Sequence, residues 1–146
     1  MGDFMEQLRS ITKVTAKAPD LLAVTWSDGV KAELSLAKVL RTKAYKSLGD
    51  AKVFAKASLG DWGHSVVWPG DVELGADSLW RMTLEAIGRT DTLEFIDWRI
   101  RHGLSLTDAA NALGVSRRMV AYYVSGEREV PKTVLLACKG WEVSAA

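Results

Sequence analysis

The hydrophobic period of this 146-residue chain changes between Gly88 and Asp91, and that change constrains the fold more than any other feature. Before it, apolar residues alternate or run in short blocks bounded by Gly, Pro and Asp, as in strands. After it they recur every three to four residues, as in helices. A chain of this length holds one medium domain or two small ones, and a single switch of period favours two. The reading is α+β: a small antiparallel-sheet N-terminal domain with short helices over residues 1–88, followed by an all-α domain over 89–146.

The first segment predicts a hairpin. "ITKVTAK" (11–17) alternates Ile11, Lys13 and Thr15 with Thr12, Val14 and Ala16. "LLAVTW" and "KAELSL" flank "SDGV", and Asp28-Gly29 between apolar runs is a hairpin signal because the tight turn needs positive φ. "SLAKVLRTKAYKSL" (35–48) reads as a short helix on Leu36, Val39 and Leu40. "AKVFAKASL" (51–59) and "HSVVWP" (64–69) read as two further strands, joined by "GDWG" and closed by Pro69-Gly70. "DSLWRMTLEAIG" reads as a helix with Asp77 as N-cap and Gly88 just past its end.

Four helices are expected in the second segment. "DTLEFIDWRIRHG" places Leu93, Ile96 and Ile100 on one face. "SLTDAANALG" opens with Ser105 and Asp108 in capping-box spacing and carries Leu106, Ala109, Ala110 and Leu113 on one face, the alanines leaving room for a crossing helix. Gly114 supplies a left-handed residue, Val115 fills the corner, and Ser116 caps "RRMVAYYVS". Pro131 fits the first turn of the last helix. Arg117 and Arg118 stand at the positive end of their helix, where each cation costs about 0.3–1 kcal/mol. That choice makes sense if something negative comes to that helix end.

This constellation resembles the helix-turn-helix of the Xre, or lambda-repressor-like, family over roughly residues 91–142. The small and apolar positions are Ala109, Ala110, Leu113, Gly114, Val115, Val120 and Tyr123; the flanks are Arg99, Leu104-Ser105 and Ser125-Gly126. Leu106 stands where many members carry Gln, and Val124 where Glu is usual. The resemblance implies sequence-specific binding of double-stranded DNA by a bacterial transcriptional regulator, with recognition helix 116–125 in the major groove. Arg117 and Arg118 become candidates for guanine or phosphate contact. Ser105 and Ser116, at helix starts, together with Ala121, Tyr122 and Ser125, complete the expected DNA-binding set.

The N-terminal segment resembles a small bacterial α+β family known as domain of unknown function 2442. The carrying stretches are "LLAVTWSDGVKAELSL", "LGDAKVFAKASL" and "GHSVVWPGDVELGADSLW". That resemblance implies a fold and, by analogy, an antitoxin-like protein partner; dimerisation or sensing is the job expected of the unit apart from it.

Other functions find little support in the residues. His64 with Asp61 is the one pair with catalytic chemistry, and a strand connection explains it as well, so no enzyme activity is expected. Cys138, His64 and His102 lie too far apart in sequence to suggest a metal site, and no phosphate-binding loop occurs, so no cofactor is expected. No run of 18 apolar residues argues for a membrane span, "MGDFMEQLRS" lacks the core of a signal peptide, and one cysteine suits a reducing cytoplasm. The formal net charge is only +1, but between Arg99 and Arg118 four arginines and His102 face Asp108 alone. A homodimer is expected, since one such module reads few bases. Its surface would be an exposed sheet edge or the last helix with Val134, Leu135 and Trp141. The competing reading is a protein-interaction module that neutralises a neighbouring gene product.

Overall fold

Strand β1 (Ile11–Lys17) pairs antiparallel with β2 (Leu21–Trp26), which pairs antiparallel with β3 (Lys31–Ser35) across the Asp28-Gly29 turn. The computed structural model describes residues 9–145. Alternation along β2 puts Leu22, Val24 and Trp26 into the core, and cross-strand pairing sets Leu22 opposite the buried Leu34. On β1 the register shifts between Ile11 and Lys13. This bulge exchanges the two faces, so Ile11 is buried while Val14 and Ala16, not Lys13 and Thr15, continue the inward side.

The expected helix over 35–48 divides into α1 (Ala37–Leu40) and a 3₁₀ helix, Lys43–Gly49, that buries Leu48. The expected strand over 51–59 opens instead as a helix. Asp50 accepts the Lys52 amide and caps α2 (Ala51–Phe54), and only β4 (Ser58–Leu59) is extended. A good cap followed by alanine overrides the apparent alternation and buries Phe54. After a 3₁₀ turn at Asp61–Gly63 come β5 (Ser65–Trp68) and β6 (Val72–Gly75), which with β4 form a second antiparallel sheet in the order β4-β5-β6. Strand β6 is absent from the sequence reading; four residues show too little alternation until Leu74 is set opposite Val66.

Helix α3 (Ala76–Ala86) follows directly, and Gly75, not Asp77, occupies its N-cap; Asp77 lies inside the first turn. The aromatic core of this unit combines an edge contact with a stacked one. Trp26 and Trp80 meet at 5.1 Å between centroids, Phe54 and Trp68 stack at 6.2 Å, and the Trp26 indole N–H donates to Thr83 Oγ1 at 3.0 Å. Gly63 allows the turn to close, since a Cβ there would meet the Ile11 carbonyl oxygen at 2.3 Å. Trp62, in that turn, is 87% exposed.

The described residues form two compact units, within Leu8–Ile87 and within Gly88–Ala146. The second contains α4 (Thr90–Arg101), α5 (Leu106–Leu113), α6 (Arg117–Ser125) and α7 (Lys132–Ala145). Pro131 precedes α7 instead of opening its first turn, and its carbonyl accepts the Val134 and Leu135 amides. On α4 the buried residues are Thr92, Phe95, Ile96, Trp98 and Arg99, while Ile100 is 55% exposed. The expected apolar stripe is therefore rotated, because the aromatic residues bury more surface. Phe95 meets Trp98 and Tyr123, and Trp98 meets Trp141 on α7.

Candidate nucleic-acid interface

The α5–α6 pair is fixed by local chemistry at each end. Ser105 Oγ accepts the Asp108 amide at 3.0 Å, and the Asp108 carboxylate accepts the Ser105 amide at 3.2 Å, a complete capping box. Gly114 then adopts φ 70°, and the Val115 amide returns to the Ala110 carbonyl at 3.1 Å. Ser116 Oγ caps α6 by accepting the Met119 amide at 3.0 Å. Ala109 and Ala110 are buried and small, so α6 can cross close to α5 on Val120, Tyr123 and Val124.

The opposite side of α6 is the candidate surface. Ser116, Arg117 and Arg118 are exposed at its start. Arg118 Nε–H donates to Tyr122 Oη at 2.8 Å, one turn along, and the Arg128 guanidinium lies 4.9 Å from the Tyr122 ring centroid. Tyr122 thereby gathers two arginines beside the helix. Arg128 is a residue that sequence reasoning missed; it lies just past the C-terminal end of the helix, and only the turn at Gly126 brings it back over Tyr122. Ala121 is half-buried on the same helix. Ser125 lies at the far end, roughly 12 Å along the axis from Arg117. Its hydroxyl donates to the Tyr122 carbonyl and accepts the Glu127 amide, which shapes the turn into Gly126. Ser105 heads a different helix, with its oxygen committed to the capping box.

The arginines expected to form one patch separate. Arg99 is buried and donates to the Leu104 carbonyl at 3.0 Å. Arg101 and His102 both reach Glu142 on α7, at 2.7 and 2.6 Å. Hydrogen bonds from His102 and then Arg101 hold the Glu142 carboxyl below its ordinary value. What remains for a ligand is the cluster at α6.

A second clamp, also missed, holds the end of α6. Arg89 donates to the Gly126 carbonyl at 2.9 Å, to Thr92 Oγ1 at 2.8 Å and to the Asp91 carboxylate at 3.2 Å. Asp91 in turn accepts the Val130 amide at 2.8 Å. Burial raises the Asp91 pKa, but the Val130 amide and the Arg89 and Thr92 donors outweigh it and leave the carboxyl lowered. Arg89-x-Asp91, two charges at the change of period, is the signal that could have found it.

The two departures from the family pattern are absorbed by the core. Leu106 is fully buried and Val124 is 6% exposed, so neither side chain faces a ligand. Cys138 is buried as well, and burial with Glu142 and Glu94 nearby pushes its thiol up to about 12. In the first unit, Asp61 and His64 line an open cleft of about 430 Å³ with Trp62, Ser65 and Glu73. Ser65 Oγ–H donates there to the Glu73 carboxylate at 2.8 Å. The outer strands β1 and β3 carry Lys13, Lys17 and Lys31, charges that discourage strand addition at those edges. No helix among the described residues is long and apolar enough to cross a membrane.

Comparison with known proteins agrees with this geometry. Residues 11–83 match the family described as Protein of unknown function (DUF2442), and residues 96–138 match the family described as Helix-turn-helix. No curated protein matches the chain. Among solved structures, the crystal structure of "Putative DNA Binding Protein NE0471" from Nitrosomonas europaea ATCC 19718 is similar, with 39% identity and a TM-score of 0.75. The match covers 94% of this chain and 89% of that one. With a profile spanning the sheet unit and a relative matching over nearly the whole length, the chain belongs to the DUF2442 family, in a form that carries a helix-turn-helix of the Xre type behind it.

Proposed function

We propose that this protein binds double-stranded DNA and acts as a sequence-specific transcriptional regulator, with residues 89–146 as the reading domain. The observation that carries the reading is the capped α5–α6 pair with Arg117 and Arg118 exposed at the start of α6. Those arginines sit where a helix end disfavours cations, and a guanidinium fork matches guanine or phosphate. In this reading Ser116, Arg117, Arg118, Ala121 and Tyr122 face the major groove. Ser105 and the amides at its helix start approach phosphate, and Ser125 positions the end of the reading helix. The similar protein from Nitrosomonas europaea bears a DNA-binding name, which agrees with it. The protein works in the cytoplasm, as a homodimer, and binds rather than catalyses. Helix α7, with Leu136 and Val143 in solvent, is a candidate pairing surface.

The test is selection from a random duplex pool with the purified chain at two salt concentrations. Recovery of a palindromic consensus, with affinity falling steeply with salt, is the expected result. No enrichment at either salt overturns the reading. A second reading, a protein-interaction module with an antitoxin-like role, draws on Trp62. An 87% exposed tryptophan at φ 60°, beside the cleft of Asp61, His64 and Glu73, suits a partner's docking point. Co-purification of a stoichiometric small protein, lost on Trp62→Ala, is its expected signature.

A further inference from the structure

We infer that the N-terminal unit carries a second contact surface for the phosphate backbone of duplex DNA, built on residues 38–56; this rests on the DNA-binding proposal above. Six cations occupy that stretch, Lys38, Arg41, Lys43, Lys46, Lys52 and Lys56, against one carboxylate, Asp50, in a chain whose net charge is only +1. All six are exposed. None lies within ion-pair distance of a carboxylate among the described residues. Asp50 is committed to the cap of α2.

Spacing makes this more than a charged stretch. The cations fall in pairs three or four residues apart, 38/41, 43/46 and 52/56, and each pair belongs to one turn of local helix or its edge. Residues three apart eclipse in a 3₁₀ helix, so Lys43 and Lys46 share one side of theirs. Like charges at such spacing repel and weaken the turns that hold them. An anion arriving at the surface removes the repulsion.

The turns are held rigidly enough to present charge. Leu36, Leu48 and Phe54 are fully buried beneath them, and the Tyr45 hydroxyl donates to the Glu73 carbonyl at 2.9 Å. Five of the six cations are lysines, point charges that suit phosphate oxygens, whereas the forked arginines of α6 suit base edges. Between the cations the exposed apolar residues are alanines alone, with no aromatic or leucine to enter a bilayer. A polyanion in water fits this surface better than a lipid headgroup layer.

The test uses the full chain and fluorescence anisotropy on a labelled duplex of random sequence, between about 50 and about 200 mM salt. Lys43→Glu with Lys46→Glu should flatten the slope of log affinity against log salt by about 2, and weaken low-salt binding at least about 10-fold. Lys13→Glu with Lys31→Glu changes net charge equally, away from the stretch, and should change the slope far less. Lys52→Gln with Lys56→Gln repeats the measurement without charge reversal, should the glutamate pair disturb folding. An unchanged slope in the stretch variants, or an equal change in the control, overturns the inference. Tighter retention on phosphatidylserine vesicles or poly-glutamate than on duplex also overturns it, by reassigning the surface. Arg117→Ala with Arg118→Ala separates the two readings. If sequence preference survives that change while the slope still responds at Lys43 and Lys46, the reading helix is misassigned and the second surface stands. A parent chain that binds no duplex at either salt overturns both.

Discussion

The two units of this protein present positive charge in opposite ways. The helical unit concentrates it in adjacent arginines at one helix start, with Tyr122 and Arg128 beside them, and neutralises or buries most of the rest. The sheet unit spreads lysines over three short helical turns, three or four residues apart. The difference teaches what each arrangement can read. A guanidinium fork held near a tyrosine discriminates by direction, whereas spaced ammonium groups respond to charge density. Their local signals differ as well: the reading helices are bounded by caps made within a few residues, whereas both cores rest on distant contacts such as Trp26 to Thr83 and Trp98 to Trp141.

The largest effect that would break this comparison lies in the cores. Phe95→Ala and Trp26→Ala should each cost about 3–5 kcal/mol of stability, measured by urea denaturation, as fully buried rings leave cavities. A loss below about 1 kcal/mol for either would mean that its unit does not depend on that ring. Next in size, Arg117→Ala and Arg118→Ala should each weaken binding to a selected duplex by about 1–3 kcal/mol and relax its sequence preference, with helix content unchanged by circular dichroism. Uniform weakening across all sequences would make these arginines phosphate contacts, like the proposed lysines.

Asp91→Asn comes third. Removing the charge under Arg89 and Val130 should cost about 1–3 kcal/mol near neutral pH. The sign of its pH dependence follows from the lowered carboxyl: the folded state binds the proton less readily than the unfolded chain, whose ordinary value is 3.8. The stabilisation is thus complete above that value and lost as pH falls through the lower, folded-state one. Urea midpoints of parent and variant should converge as the pH is taken below 3.8 and through the lower folded-state value, and a gap that stays constant on the way down would show that the carboxylate charge is not what matters. The smallest effect belongs to the cap: Ser116→Ala should cost about 1 kcal/mol, and Ser116→Asp should restore it. Failure of Asp to restore the loss would show that the serine acts beyond its cap.

The helical unit was the more legible in sequence, and the reason is physical. Ser105 with Asp108, Gly114 and Ser116 act on backbone groups within three or four residues, so their roles follow from spacing alone. Ile100 misled because helical period alone does not say which stripe turns inward; Phe95 and Trp98 outbid it once a core existed. In the sheet unit the hairpin at Asp28-Gly29 was legible for the same local reason, but 51–59 was not. There alternation competed with the Asp50 cap, and burial of Phe54 decided for helix. The candidate site was half visible: Arg117 and Arg118 declared themselves by standing at the wrong helix end, while Arg128 and the Arg89–Asp91 clamp did not.

By itself, then, the sequence determined the change near residue 88 to a purely helical pattern, the capped helix-turn-helix and the position of its two exposed arginines. Each depends on short-range geometry that a few residues specify. The tertiary structure alone decided that Arg99, Arg101 and His102 leave the expected patch. It also decided that β6 exists, and that Arg89 reaches across to Gly126. Those outcomes depend on partners dozens of residues away or on pairing with a neighbouring strand. A buried or paired charge is recognised only when the chain has brought its partner to it.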